Sequence, residues 1–333
     1  MGVNRKPMTA EGREPDIVVL REGTEGLAME PYAEELRERV PDREVGLART
    51  PREERELVAS ARIVTGVGID EALLARAGEL ELFACAFAGT DHLPMDEIER
   101  RGIAVTNAGG IHAPGIAEAT VGNMLVFARR LHEGWRRKHN HEWRHFRSHE
   151  LCGSTVTIVG LGSIGQAVAA RLEGFEVETV GVRYTPEKGG PTDEVIGFDE
   201  DDLHEALARS GYLVIACPLT EETRGLIGEA EFATLPPDAV LINTARGPIV
   251  DTDALVSAIQ VNAIRGAALD VTDPEPLPPE HPLWRFENVL ITPHTGGHTP
   301  KHWERLADIV AGNVTRLEEE NSFEGLENVV YAP

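Results

Sequence analysis

The sequence predicts an α/β protein with two domains, each built on a parallel sheet. Short apolar runs alternate with amphipathic helical patterns along most of the 333 residues. Strands separated by helices of that length form βαβ units. A Gly-x-Gly-x-x-Gly sequence, Gly160 to Gly165, also follows directly after an apolar run. Because this turn begins near the middle of the chain, the domain that contains it must be inserted within the first domain or appended to it.

The first hundred residues alternate regularly between the two kinds of pattern. Helices are predicted at 32–39, 71–77 and 95–101, and strands at 17–20, 44–47, 63–65, 82–86 and 103–105. A longer helix, 115–133, is apolar nearly all round, which is typical of a helix buried between domains or subunits. A stretch rich in His, Trp and Arg, 139–149, follows it and is predicted to be irregular.

The glycine turn joins a strand that begins at Val156 to a helix that opens at Ser163. Gly160 permits the tight turn, and Gly162 lets a pyrophosphate approach the backbone. Gly165 lets helix and strand pack closely, while the free N–H groups of the helix N-terminus point at the phosphates. In this strand, turn and helix context the motif predicts a dinucleotide site in a Rossmann-like domain.

The second half resumes the alternation. Strands are predicted at 178–182, 212–216, 239–243, 266–269 and 289–291, and helices at 201–209, 229–233 and 251–260. A last helix, about 300–319, carries an apolar stripe and could pack on either domain. Two Rossmann-like or flavodoxin-like parallel-sheet domains therefore follow from the pattern.

The charge balance is unusual. There are 56 acidic residues against 32 basic ones, a net charge of −24, and only four of the basic residues are lysine. Such a charge repels phosphates, so we expect neither nucleic acid nor anionic membrane as a partner. Self-repulsion in low salt destabilises a compact chain of this charge, a property associated with halophiles. The sequence therefore predicts a halophilic protein that needs molar salt.

Compartment and membrane association can be predicted from the apolar runs and the cysteines. No apolar run approaches the roughly 20 residues that span a bilayer, and the polar stretch 1–16 does not resemble a signal peptide. Cys85, Cys152 and Cys217 are few and widely spaced, which indicates free thiols in a reducing compartment. We therefore expect a cytoplasmic protein.

Three residues of complementary chemistry each follow a predicted strand end in the second half: Arg246, Glu275 and His294. Ligands of doubly wound sheets bind outside the carboxyl ends of the strands. Hydride transfer to a 2-oxo acid requires a carboxylate clamp, a proton donor for the carbonyl oxygen and a group that keeps the donor protonated. Arginine, histidine and glutamate can supply these roles.

Several stretches carry a resemblance to one enzyme family. The chain resembles the D-isomer-specific 2-hydroxyacid dehydrogenases, and among them the glyoxylate/hydroxypyruvate reductases, over about residues 64–312. Besides the glycine turn, the stretches concerned are Cys217-Pro-Leu-Thr-Glu-Glu-Thr-Arg-Gly-Leu226, Asn243-Thr-Ala-Arg-Gly247, Leu269-Asp-Val-Thr-Asp-Pro-Glu-Pro-Leu277 and Pro293-His294.

The resemblance implies roles for individual residues. Arg246, Glu275 and His294 match the family's catalytic arginine, glutamate and histidine, with Arg246 and His294 also facing the substrate. Ala88 and Gly89 match the loop whose main-chain N–H groups bind the substrate carboxylate. The residues expected at the cofactor are Gly160, Gly162, Ser163, Ile164, Gly165, Arg183, Tyr184, Thr185, Cys217, Pro218, Thr244, Ala245, Asp270 and Gly296.

The resemblance also implies an arrangement of domains and subunits. It places the substrate domain at 1–114 and 299–333 and the nucleotide domain at 115–298, with the terminal helix returning to the first domain. It implies a homodimer in which the helix from Gly115 is the contact. The expected ligands are a small 2-oxo or 2-hydroxy acid and a nicotinamide cofactor.

Cofactor choice is predicted from one position. Eighteen residues beyond Gly165, where an NAD site has an acidic residue for the ribose hydroxyls, the chain has Arg183, followed by Tyr184 and Thr185. An arginine there accommodates a 2′-phosphate, and Lys188 can add charge from the same loop. We therefore expect preference for NADP(H), with NAD(H) as the alternative if Arg183 points to solvent.

Alternative functions and a metal site depend on the same kinds of residue. A dinucleotide-sensing corepressor shares this fold, but the charge opposes a chromatin partner. A formate dehydrogenase would have a glutamine in place of Glu275. A reductase specific for glyoxylate or hydroxypyruvate remains open. His141, His145 and His149 have helical spacing, yet we expect a surface segment there and no metal site.

Overall fold

The computed structural model describes residues 15–22, 28–320 and 322–333, so most of the polar stretch at 1–16 lies outside the described residues. The chain divides into two compact units. Unit 1 comprises Met1–Ile111 and Thr299–Pro333, and unit 2 comprises His112–His298. Unit 2 is therefore a continuous insertion between two parts of unit 1.

Strands and helices alternate along most of the described chain. The strands are β1 Ile17–Val19, β2 Val45–Leu47, β3 Ile63–Gly66, β4 Leu82–Cys85, β5 Ala104–Thr106, β6 Thr155–Val159, β7 Glu178–Val182, β8 Glu194–Ile196, β9 Tyr212–Ile215, β10 Val240–Asn243, β11 Gly266–Leu269, β12 Val289–Ile291 and β13 Val329–Tyr331. The helices are α1 Glu30–Arg39, α2 Pro51–Leu57, α3 Glu71–Leu74, α4 Met95–Arg100, α5 Ala113–Ala128, α6 Leu131–His139, α7 Ser163–Leu172, α8 Glu200–Ala208, α9 Glu229–Thr234, α10 Thr252–Gln260 and α11 His302–Glu320.

Unit 1 contains a six-stranded sheet in the order β13-β5-β4-β3-β1-β2. Strands β1 to β5 are parallel to one another, and β13 pairs antiparallel with β5 at one edge of the sheet. The parallel strands are buried almost throughout because helices cover both faces. Helices α1 and α11 pack together on one face, where the rings of Tyr32 and Trp303 stack with centroids 5.2 Å apart. The terminal helix therefore belongs to the first unit.

Unit 2 contains a seven-stranded sheet in the order β12-β11-β10-β9-β6-β7-β8, parallel throughout. The order reverses between β6 and β9, which makes their carboxyl ends the topological switch point where doubly wound sheets bind ligands. The glycine turn follows β6. The chain segments that follow β10, β11 and β12 emerge at the same edge of the sheet.

Most of the predicted strands and helices are confirmed within one or two residues, but the helix predicted at 115–133 is wrong. The structure has two helices there, α5 and α6, because Arg130 adopts a left-handed backbone (φ 52°) between them. Strands β8 and β13 and helix α2 were not predicted. No helix among the described residues is long and apolar enough to cross a membrane.

Candidate active site

The glycine turn has the steric demands that the motif predicts. Gly160 has φ +102°, and a Cβ there would lie 2.5 Å from the backbone nitrogen of Cys217. A Cβ on Gly165 would lie 1.9 Å from the carbonyl oxygen of Gly160, so α7 and β6 can pack this closely only without a side chain. A Cβ on Gly162 meets nothing within 4 Å. The turn is closed at its two outer glycines and open at the middle one.

The open side of the turn faces the N-terminus of α7. Gly162 is the N-cap residue of this helix; its backbone is extended, and it has no side chain that could bond to the helix N–H groups. Ser163 and Ile164 form the first turn of α7. Unpaired N–H groups at a helix N-terminus attract anions, so the turn can hold a pyrophosphate. These observations fit a dinucleotide cofactor.

A cavity of about 240 Å³ extends from the turn to the end of β7. Several of the residues predicted at the cofactor, from separate parts of the sequence, line this cavity. The lining residues are Gly160, Leu161, Gly162, Arg183, Tyr184, Thr185, Lys188, Phe198, Cys217, Pro218, Thr220 and Thr223. Arg183 Nη1 donates to the carbonyl of Gly189 at 2.5 Å, which holds the guanidinium at this loop. The rings of Tyr184 and Phe198 lie 5.0 Å apart, centroid to centroid. Two cationic side chains and an aromatic pair therefore line the cavity.

Cys217 forms part of the apolar wall of this cavity. Its side chain is buried, and burial raises the pKa of the thiol to about 11. The thiol is therefore protonated at neutral pH and acts as a small apolar group, not as a nucleophile.

Arg246 lies in the turn after β10, at the carboxyl edge of the sheet. The Asn243 side chain shapes this turn, since its Nδ2 donates to the Arg246 carbonyl (3.0 Å) and its Oδ1 accepts from Ala245 N (3.1 Å). Thr244 and Ala245 are buried, whereas the Arg246 side chain is exposed. A Cβ on Gly247 would lie 2.0 Å from the carbonyl oxygen of Thr272. The Arg246 turn therefore packs directly on the segment that leads to Glu275.

Glu275 and His294 form a hydrogen-bonded pair. His294 Nδ1 lies 2.7 Å from Glu275 Oε1, and an ionised carboxylate only accepts, so Nδ1 is the nitrogen that carries the proton in this bond. The side chain of His294 is 49% exposed and that of Glu275 is 42% exposed. A small molecule can therefore reach His294 Nε2. The structure therefore brings together a carboxylate and an imidazole that come from loops after adjacent strands.

The contacts of Asp270 were not predicted from the sequence. Its carboxylate accepts from Thr292 Oγ1 (2.5 Å), Thr295 N (3.0 Å) and Gly296 N (2.9 Å), and its own carbonyl accepts from His294 N (2.9 Å). Asp270 is buried and stabilises the loop that carries His294. These bonds span more than 20 positions in the sequence, so no local pattern indicates them.

Ala88 and Gly89 lie in unit 1, in the exposed loop after β4. The Ala88 carbonyl accepts from Asn107 Nδ2 at 2.6 Å, which anchors the loop to the end of β5. A Cβ on Gly89 would meet nothing within 4 Å. The loop is thus fixed at one side and open at Gly89.

The histidines at 141, 145 and 149 do not lie on a helix. His141 has a left-handed backbone (φ 56°), and the chain from there to 149 is irregular. Among the residues that the structure describes, no group of three or more His, Cys, Asp or Glu side chains could hold a metal ion.

Comparison with known proteins identifies the family. Residues 121–296 match the model of the D-isomer specific 2-hydroxyacid dehydrogenase NAD binding domain. The glyoxylate reductase of Thermofilum pendens is 39% identical over 253 residues, 74% of this chain and 74% of that protein. The glyoxylate reductase/hydroxypyruvate reductase of Mus musculus is 37% identical over 254 residues, 74% of this chain and 76% of that protein.

A solved structure extends the similarity to both units. The D-isomer specific 2-hydroxyacid dehydrogenase from Xanthobacter autotrophicus Py2, in complex with NADPH and MES, has a TM-score of 0.77 at 27% identity. The match covers 95% of this chain and 98% of that chain. The chain therefore belongs to the D-isomer specific 2-hydroxyacid dehydrogenase family, whose members are NAD(P)-dependent oxidoreductases that act on the CH–OH group of 2-hydroxy acids.

Proposed function

We propose that the protein reversibly reduces small 2-oxo acids to D-2-hydroxy acids, with NADP(H) preferred over NAD(H). The observation that carries this proposal is the 2.7 Å contact between His294 Nδ1 and Glu275 Oε1. It supplies an acid/base group that is oriented, reachable from solvent and carried by the same sheet as the nucleotide-binding turn. Glyoxylate and hydroxypyruvate are the first substrates to test, because they give the two curated relatives their names.

The roles of the residues follow from their chemistry. Arg246 binds the substrate carboxylate with its planar guanidinium. For the main-chain N–H groups of Ala88 and Gly89, a carboxylate-binding role stays a prediction from the family resemblance. A bound nicotinamide supplies the hydride. His294 Nε2 donates a proton to the carbonyl oxygen during reduction and takes it back during oxidation. Glu275 fixes the ring orientation and stabilises the imidazolium.

The cofactor would be held by the residues that surround the turn and the cavity. The open backbone at Gly162 and the α7 N-terminus suit the pyrophosphate. Arg183 and Lys188 offer positive charge to a 2′-phosphate, while Pro218 and Thr244 lie along the carboxyl edge toward Asp270. Because Asp270 already accepts three hydrogen bonds from the His294 loop, we propose that it acts on the nicotinamide end mainly by holding that loop.

The acid/base role of His294 is tested by His294→Ala, assayed with NADPH and a panel of 2-oxo acids. Loss of a positioned acid/base lowers kcat by about 10²–10⁴-fold. The control is His204→Ala, because His204 bonds to Thr234 Oγ1 on a neighbouring helix and should leave kcat unchanged. A His294→Ala variant that kept wild-type kcat would rule out this role.

The preference for NADP(H) is tested by Arg183→Met, which keeps most of the length of the side chain and removes its charge. A hydrogen bond to a charged group contributes about 1.5–3 kcal/mol, so kcat/KM for NADPH should fall about 10- to 100-fold while kcat/KM for NADH stays the same. Lys138→Met, which removes one positive charge on α6 outside this cavity, is the control for net charge. Wild-type preference for NADH would contradict the proposal.

We also propose a cytoplasmic homodimer. The three described cysteines are free, and large apolar side chains are exposed on α6 and just after it: Leu131 (54%), Trp135 (64%) and Trp143 (95%). These side chains follow directly on α5, the predicted contact. Light scattering of the purified protein would give twice the mass of the 333-residue chain; a monomer would contradict the proposal.

A further inference from the structure

The loop from Thr292 to Gly297 has no regular secondary structure, and it contains a non-glycine residue in an unfavourable conformation. His294 has φ +53°, a region that side chains other than glycine seldom adopt. Such a conformation persists only where the surroundings fix it. The Asp270 carboxylate fixes the first part of the loop through Thr292, Thr295 and Gly296.

The second part of the loop is held by a different residue. His112 Nδ1 lies 2.8 Å from the carbonyl oxygen of Gly297, and a carbonyl only accepts, so the ring donates. His112 stands immediately before α5 and its side chain makes no cap to that helix. A Cβ on Gly297 would lie 3.2 Å from His112 Nδ1, and one on Gly115 would lie 3.3 Å from the Gly296 carbonyl. The start of α5 therefore packs tightly on the end of the loop.

The contact joins the two ends of unit 2. The chain enters this unit at His112 and leaves it after His298. The His112–Gly297 bond therefore ties the entry of unit 2 to its exit, and it does so three residues after His294. Separation of the two ends of unit 2 would therefore break a hydrogen bond to the loop that carries His294.

We propose that His112 is a positioning residue for His294: its Nδ1–H clamps the Gly297 carbonyl and keeps the loop in the conformation that directs Nε2 at the substrate. The inference rests on the proposed acid/base role of His294. A small misplacement of a reacting group can lower the rate about 100-fold, so loss of the His112–Gly297 hydrogen bond lowers kcat. We expect the cofactor-binding turn at Gly160 to Gly165 to be unaffected.

The test compares His112→Asn with His112→Leu. The two side chains have nearly the same shape, but only asparagine offers an N–H at the position of Nδ1. We expect His112→Leu to lower kcat about 10- to 100-fold with unchanged Kd for NADPH, and His112→Asn to retain kcat. His204→Leu is the control, since its bond to Thr234 lies outside this loop. Equal kcat in the leucine variant and the wild type, or equal loss in both His112 variants, would overturn the proposal.

Two further measurements keep the test informative. Gly297→Ala crowds the same contact from the other side and should lower kcat. The double variant with His112→Leu should have no lower kcat than the single variants, because both changes act on one contact. Hydrogen exchange of the Thr295 and Gly296 amides should speed up in His112→Leu and not in His112→Asn. This readout needs no turnover. If His294→Ala kept full kcat, the proposed function would fail, while the exchange rates would still decide whether His112 holds the loop.

Discussion

At the scale of single residues, the three glycines of the turn differ in what they exclude. Gly160 and Gly165 are required by the fold, since a side chain at either would overlap the backbone of unit 2. Gly162 is not required by the fold, because its Cβ would stand in open space. We therefore expect the absence of a side chain at Gly162 to serve the approach of a ligand to the backbone.

This difference predicts opposite effects of two alanine substitutions. Gly165→Ala should lower the free energy of unfolding by about 1–3 kcal/mol through overpacking, whereas Gly162→Ala should leave it unchanged and raise the Kd for NADPH. Thermal unfolding and cofactor titration separate the two effects. Gly174→Ala, which also meets nothing within 4 Å, is the control. Wild-type NADPH affinity in Gly162→Ala would contradict a pyrophosphate at this position.

The sequence predicts some of these residues and not others, for a physical reason. The glycine turn has a fixed local spacing, and Arg246, Glu275 and His294 each follow a strand end, so local pattern is sufficient to find them. Their contacts depend on strand order. The role of Asp270 in holding the loop, and the bond from His112 to Gly297, join residues far apart in the chain and become visible only once the sheet is assembled.

At the scale of elements, the break between α5 and α6 shows the limit of helical periodicity. Arg129 and Arg130 are good helix formers, and neither glycine nor proline stands at the junction. The pattern therefore predicts one helix, although Arg130 turns the backbone to φ 52°. Strands β8 and β13 were not predicted because neither fits the alternation of strands and α-helices in a parallel sheet: no α-helix separates β7 from β8, and β13 pairs antiparallel with β5.

Helix α6 has an internal ion cluster that should make stability depend on pH. Glu133 is buried and accepts from Arg136 and Arg137 at 2.5 Å each. These hydrogen bonds lower its pKa from 4.5 to about 2. A carboxyl group whose pKa is lower in the folded state than in the unfolded state stabilises the folded state at pH values above its unfolded pKa. For Glu133 this contribution decreases below pH 4.5 and is lost as the pH falls through about 2.

Glu133→Gln should therefore be less stable than the wild type at pH 7, by about 1.5–3 kcal/mol if both charged hydrogen bonds weaken. The difference should shrink below pH 4.5 and vanish near pH 2. Urea unfolding at a series of pH values measures it. Glu142→Gln is the matched control: Glu142 also pairs with an arginine, Arg144, but at an exposed site. A difference between wild type and Glu133→Gln that did not change with pH would contradict the prediction.

At the scale of the whole molecule, the net charge of −24 dominates. Ion pairs such as Arg39 with Glu35 and Asp308 neutralise only part of the acidic surface, because acidic residues outnumber basic ones 56 to 32. Salt weakens such exposed pairs and also screens the general repulsion. With this excess of one sign, the screening of repulsion should be the larger effect.

We therefore predict that Tm and activity rise as NaCl is increased from dilute buffer to molar concentration, where the screening length falls to about 3 Å. Each kcal/mol gained raises Tm by about 2–4 °C in a domain of 150–250 residues. A nonionic solute at matched water activity is the control, since it screens no charge. Full stability and activity in dilute buffer would contradict a halophilic protein.

The bond between His112 and Gly297 also has a consequence for how the chain assembles. Because unit 2 is continuous and its two ends meet, a folded unit 2 brings Ile111 and Thr299 close together. The entropy of closing a loop grows with the logarithm of its length, so α11 and β13 then join the earlier strands as if across a short turn. A folded unit 2 therefore lowers the entropy cost of completing unit 1, compared with closure across the same residues when they are unfolded.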